Sequence, residues 1–226
     1  MLRGRSASCV RLTQLGTRRI STLRFVPSTA ERQLALPLAF LAVGDSSATL
    51  PGDRWRQDWA DRFAQRGYSS LLLDVDASAA QTGTTSQARL ELLEQELLKL
   101  LRDPATSSPF PPLLFAAGSS SLLAETYVSS HPLSALCLMS PLPAPFAHGR
   151  DPVAYPTALD DFDYEPGFPI AILSPDSLPA ADSPSLHRLV RDFTDADDNG
   201  LVRSLSGGMD EHGWQRVMDW MDDNGL

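Results

Sequence analysis

Apolar positions along the chain fall into short unbroken runs that alternate with longer stretches where they recur every three or four residues. The unbroken runs are Leu34 to Val43, Tyr68 to Val75, Leu113 to Phe115, Leu133 to Met139, Phe168 to Ser174 and Leu201 to Leu205. Runs of that length, apolar at odd and even positions alike, predict strands buried on both faces of a sheet. Between them, Trp55, Trp59 and Phe63 make a helical stripe that Asp53 can cap and Gly67 can end. The clearest helix is Ser86 to Arg102, with Leu90, Leu93, Leu97 and Leu100 on one face. Leu122, Leu123, Ala124 and Tyr127 predict another, stopped by His131-Pro132, and two more follow around Leu186 to Phe193 and Trp214 to Met221. Asp76 to Thr85 reads as a loop, and Pro141 to Gly167, Pro-rich and acidic, as a loop or small lid over the sheet's upper edge. Strands alternating with helices predict an α/β fold: a three-layer αβα sandwich around a mainly parallel sheet, with ligands at the carboxyl ends of the strands.

Composition changes the picture at the start of the chain. Residues 1–30 hold Arg3, Arg5, Arg11, Arg18, Arg19 and Arg24 among serines and threonines, and the first acidic residue is Glu31. That is the composition of a mitochondrial transit peptide, disordered or cleaved between about residues 20 and 30, and it predicts a mitochondrial, matrix location. Residues 31–226 then form a single domain. The whole chain has a formal charge of −9. Without its first thirty residues, 13 basic residues face 28 acidic ones, giving −15, a surface unsuited to nucleic acid. No apolar run is long enough to span a membrane. Cys9 lies in the leader and Cys137 in a core strand, so no disulfide is expected in the mature chain.

Chemistry concentrates where Leu113, Leu114 and Phe115 run into Ala116-Ala117-Gly118-Ser119-Ser120-Ser121 and then a helix. Small residues permit a sharp strand-to-helix turn that lifts one side chain above the sheet. With Gly67-Tyr68 before a strand reaching Asp74, and with His131-Pro132, this order resembles the α/β-hydrolase superfamily over nearly everything after the leader. The resemblance implies a serine hydrolase acting on a small ester or thioester through an acyl-enzyme, with no cofactor and no metal. Ser119 would attack, His212 would take its proton, and Asp176 would hold the imidazole. Amides of Ser120 and of Gly44 or Asp45 would form the oxyanion hole.

The turn admits two registers. Ser119 is flanked at two residues' distance by the small Ala117 and Ser121, as a nucleophile must be. Counting back without a gap from Tyr127 and His131-Pro132 instead puts the nucleophile position on Gly118, with Ser120 and Ser121 as its small neighbours. Glycine relieves the strained positive φ of such a turn, and then no nucleophile exists. His212 stands some residues beyond Ser206-Gly207-Gly208, and Asp176 competes with Asp160, Asp161, Asp163 and Asp182. The alternative function is therefore a catalytically inactive α/β-hydrolase-like protein binding a protein partner in mitochondria. Asp195 to Val202 matches the opening of a calcium loop, but Ser206 stands where its bidentate glutamate belongs, so a solvated turn is expected.

Overall fold

The computed structural model describes residues 21–44, 54–104, 108–175, 186–193 and 200–226. Among these, seven strands form one sheet in the order β1-β3-β2-β4-β5-β6-β7. They are β1 Thr22–Val26, β2 Pro37–Gly44, β3 Ser69–Asp76, β4 Leu113–Ala117, β5 Ala135–Met139, β6 Ile170–Ser174 and β7 Val202–Ser206. β1 pairs antiparallel with β3, and every other pairing is parallel. The helices are α1 Arg54–Gln65, α2 Ser86–Leu101, α3 Ser120–Val128, α4 Ala147–Arg150, α5 Arg188–Phe193 and α6 Glu211–Asp223. The αβα sandwich expected from the alternation is present.

Strand pleating explains the unbroken apolar runs. Leu38 and Phe40 of β2, with Leu113 and Phe115 of β4, pack on one face against Trp55, Trp59 and Phe63 of α1 and Trp214 and Val217 of α6. Ala39, Leu41, Leu114 and Ala116 face the other way, toward Leu90, Leu93 and Leu97 of α2 and Leu123 and Tyr127 of α3. Phe40 and Phe115 stack with centroids 4.6 Å apart, and Trp59 meets Phe115 edge-on at 6.2 Å. Each fully buried side chain of this kind contributes about 1.5–3 kcal/mol, so β2 and β4, which hold the middle of the sheet, form a rigid platform for whatever leaves their carboxyl ends.

The sheet begins inside the stretch assigned to the leader. Thr22 pairs with Asp74 and Val26 with Ser70, and the Asp76 amide donates to Ser21 Oγ at 3.1 Å. β1 thus lies within the first thirty residues. In this edge strand only Leu23 and Val26 are partly buried, and the arginine-rich composition around it masks so weak a signal.

Smaller differences have local causes. β2 starts at Pro37, three residues later than expected, because a proline without an N–H fits the first position of a strand. Leu133 and Ser134 lead into β5 rather than belonging to it. The loop from Asp76 to Thr85 includes a 3₁₀ turn, Ala77–Ala80, capped by Asp76, which accepts from the Ser78 amide at 2.9 Å. The lid stretch contains a second 3₁₀ turn, Ala144–Phe146, leading into α4. Asp53 and most of the calcium-like stretch, residues 195–199, lie outside the described residues.

Candidate functional site

At the carboxyl end of β4 the left-handed residue is Gly118, with φ +54°. Its amide donates to the Met139 carbonyl at 3.0 Å, and its own carbonyl accepts from the Leu142 amide at 3.2 Å and from Ser121 Oγ at 2.7 Å. These bonds fix a sharp turn between the ends of β4 and β5. A Cβ placed on Gly118 would meet nothing within 4 Å, so the space above the turn is open and backbone conformation, not crowding, favours glycine.

Ser119 follows with right-handed helical angles, φ −68° and ψ −21°, as the residue before α3, and its side chain caps nothing. The left-handed position of the turn is thus Gly118, and Ser119 already has helical angles. This is the second of the two registers. The neighbouring serines have structural work: Ser120 Oγ accepts from the Val43 amide at 3.0 Å, and Ser121 Oγ accepts from the Leu142 amide at 3.2 Å. The first of these bonds sets the end of β2, where Gly44 stands, beside the start of α3, so two of the oxyanion-hole candidates, Gly44 and Ser120, are neighbours at the rim. Asp45, the third, lies outside the described residues.

Of the triad candidates the described residues include Ser119 and His212. Among the described residues Ser119 makes no hydrogen bond with a histidine. His212 is exposed on the first turn of α6, and Asp176 lies outside the described residues. The reason for His212's placement is local. Asp210 caps α6 by accepting from the Gly213 amide at 3.0 Å, and a Cβ on Gly213 would stand 1.8 Å from the Gly208 carbonyl. So tight a return from β7 buries Gly213 and Trp214 and leaves the residue before them facing solvent.

The other histidines are engaged elsewhere. His131 lies 3.2 Å from Glu94 and stacks on Tyr127 at the amino edge of the sheet. His148 Nδ1 hydrogen-bonds the Tyr155 carbonyl at 2.7 Å. His187 Nε2 meets Glu125 Oε1 at 2.9 Å, with both residues buried. Because the Leu189 amide donates to His187 Nδ1 at 3.3 Å, the ring proton belongs on Nε2, which donates to Glu125. Burial pushes the Glu125 carboxyl up, with the His187 bond opposing. Burial also pushes the Cys137 thiol up, which removes it as a nucleophile at neutral pH.

The stretch after Pro141 reaches the turn after β4, the elbow of the fold, through a residue that sequence reasoning passed over. Tyr155 is buried, and its hydroxyl donates to the Ser119 carbonyl at 3.4 Å. Burial pushes that hydroxyl's pKa up to about 12, so it stays a donor. The lid is held further back by Thr157, whose Oγ1 accepts from the Ser86 amide at 3.0 Å, and by Arg89, which donates to the carbonyls of Val153 and Ala154. A lone tyrosine in an aperiodic stretch gives no signal of this role. Among the described residues no cluster of His, Cys, Asp and Glu could hold a metal, and no helix is long and apolar enough to cross a membrane.

No family model and no curated protein matches the sequence. Solved structures do match over nearly the whole chain. A thioesterase domain from the curacin biosynthetic pathway is 15% identical at a TM-score of 0.53, covering 96% of this chain and 98% of that one. A cold-adapted esterase from an Arctic intertidal metagenomic library is 13% identical at 0.52, covering 90% and 87%. A soluble variant of monoglyceride lipase from Saccharomyces cerevisiae is 12% identical at 0.52, covering 95% and 96%. Identities this low speak to architecture alone. With the parallel sheet, its single antiparallel edge strand and the left-handed turn after β4, they show that this chain has the α/β-hydrolase fold.

Proposed function

We propose that this α/β-hydrolase-fold protein performs no acyl-enzyme chemistry and acts by binding a protein partner in the mitochondrial matrix. The observation that supports the reading is Gly118 at the left-handed turn: the position that presents a nucleophile holds a residue with no side chain. The hydroxyls of Ser120 and Ser121 are committed to holding the turn, and Tyr155 closes on it from the lid. Exposed Phe146 and Val153 on the acidic, Pro-rich stretch offer apolar contact area to a partner. The arginine-rich first thirty residues support the location. Import of the full chain into isolated mitochondria, followed by protease protection, tests it. For the chemistry, purified protein is assayed with p-nitrophenyl butyrate. Turnover no higher than that of Ser119→Ala supports the binding role, and turnover that Ser119→Ala abolishes refutes it.

A second reading keeps the activity. Ser119 is exposed at the carboxyl edge one residue past the turn, and its side chain is not spent on capping α3. As a displaced nucleophile it would attack a small acyl ester or thioester, with His212 as base and Asp176 as orienting acid. The esterase, thioesterase and lipase among structures of this fold suit that substrate class.

A further inference from the structure

At the edge of the sheet opposite the elbow, by the amino ends of β2, β4 and β5, lies a cavity of about 320 Å³. Its apolar wall comprises Pro37, Leu71, Leu98, Leu101, Phe110 and Tyr127. The volume is within the range of small-molecule sites. The wall is also built in advance: Ser134 Oγ donates to the Pro111 carbonyl at 2.6 Å, and the Phe110 amide donates to Ser108 Oγ at 3.1 Å. Those bonds hold residues 108–111 against the start of β5. Phe110 is 52% exposed, an uncommon state for a large aromatic side chain placed beside a cavity.

Three polar side chains, Ser108, His131 and Arg102, reach this wall, and Ser108 accepts from the Phe110 amide. His131 is already engaged by Glu94 and Tyr127. Arg102, exposed at the end of α2, has no hydrogen-bond or ion-pair partner for its guanidinium among the described residues, and its charge is felt at the Tyr127 hydroxyl. A planar guanidinium fork fits a carboxylate in bidentate fashion. α2 and α3 both end at this edge, and their half-charges favour cations. A full charge in direct contact outweighs such screened half-charges.

We propose that this cavity binds an apolar molecule carrying one carboxylate, a medium-chain fatty acid being the simplest case, with its chain against Leu98, Leu101, Phe110 and Tyr127 and its carboxylate on Arg102. The site is separate from the elbow and holds whether or not Ser119 reacts.

The test titrates octanoate and, separately, octan-1-ol into the ¹⁵N-labelled full chain. Expected are saturable amide shifts around Arg102, Phe110 and Tyr127, and affinity rising about fourfold per methylene from octanoate to decanoate. Arg102→Gln, an exposed change that leaves the core intact, should weaken octanoate about tenfold and octan-1-ol less than about twofold. Three results would overturn the proposal: no saturation up to the solubility limit, equal octanoate affinity in Arg102→Gln, or shifts centred on Gly118 and Ser119.

Discussion

The hydroxyl of Ser120 accepts a hydrogen bond from the amide of Val43 at 3.0 Å, tying the turn after β4 to the end of β2 across the middle of the sheet. Ser120 is 7% exposed, so an amide deprived of this acceptor has little water to turn to. Ser120→Ala should lower the unfolding free energy by about 1–2 kcal/mol in urea titration with an unchanged slope. A change smaller than the error of that titration would show that the bond is dispensable.

Backbone conformation makes a second prediction at the same turn. Since a methyl at residue 118 meets nothing within 4 Å, Gly118→Ala carries only the cost of a left-handed alanine, about 1–2 kcal/mol. Asn tolerates that region better, and Gly118→Asn should cost less than Gly118→Ala. Equal stability of all three proteins would mean that the turn relaxes out of φ +54°.

Glu125 and His187 give a pH dependence whose sign follows from burial. Burial raises the Glu125 carboxyl above its ordinary value of 4.5. The native state therefore holds a proton that the unfolded chain releases, and stability falls as pH rises. The contribution is complete below the ordinary carboxylate value and is lost as pH climbs through the raised one. Glu125→Gln keeps an acceptor for His187 Nε2 and removes the titration. The difference in stability between wild type and Glu125→Gln, followed from pH 4.5 upward, should move in favour of the variant. Movement in favour of wild type would show that the hydrogen bond from His187 outweighs desolvation.

The edge strand sets where a leader can end. Removing residues 1–20 spares β1, whereas removing residues 1–26 exposes the backbone of Leu71, Leu72 and Leu73 on β3. The shorter truncation should melt like the full chain. The longer one should lose more than about 2 kcal/mol and aggregate through its open edge. Equal melting of the two truncations would make β1 dispensable.

The sequence showed the layers because burial on both faces of a strand and on one stripe of a helix leaves a pattern that local residues cannot hide. Leu38 to Leu41 and the Leu90 to Leu100 stripe are cases of it. β1 was hidden because only Leu23 and Val26 of this edge strand are partly buried, and Arg24 dominated its composition. The turn after β4 was legible as a turn, but its register was not: six small residues in a row carry no mark of which one adopts positive φ. Contacts that join distant segments, such as Tyr155 to Ser119 or Glu125 to His187, have no local signature.

The central claim is that the turn holds no nucleophile, and intact-protein mass spectrometry after incubation with a fluorophosphonate tests it most directly. The account predicts no mass increase in the wild type and none in Ser119→Ala. A stoichiometric adduct on the wild-type chain, mapped to Ser119 and lost in Ser119→Ala, would contradict it.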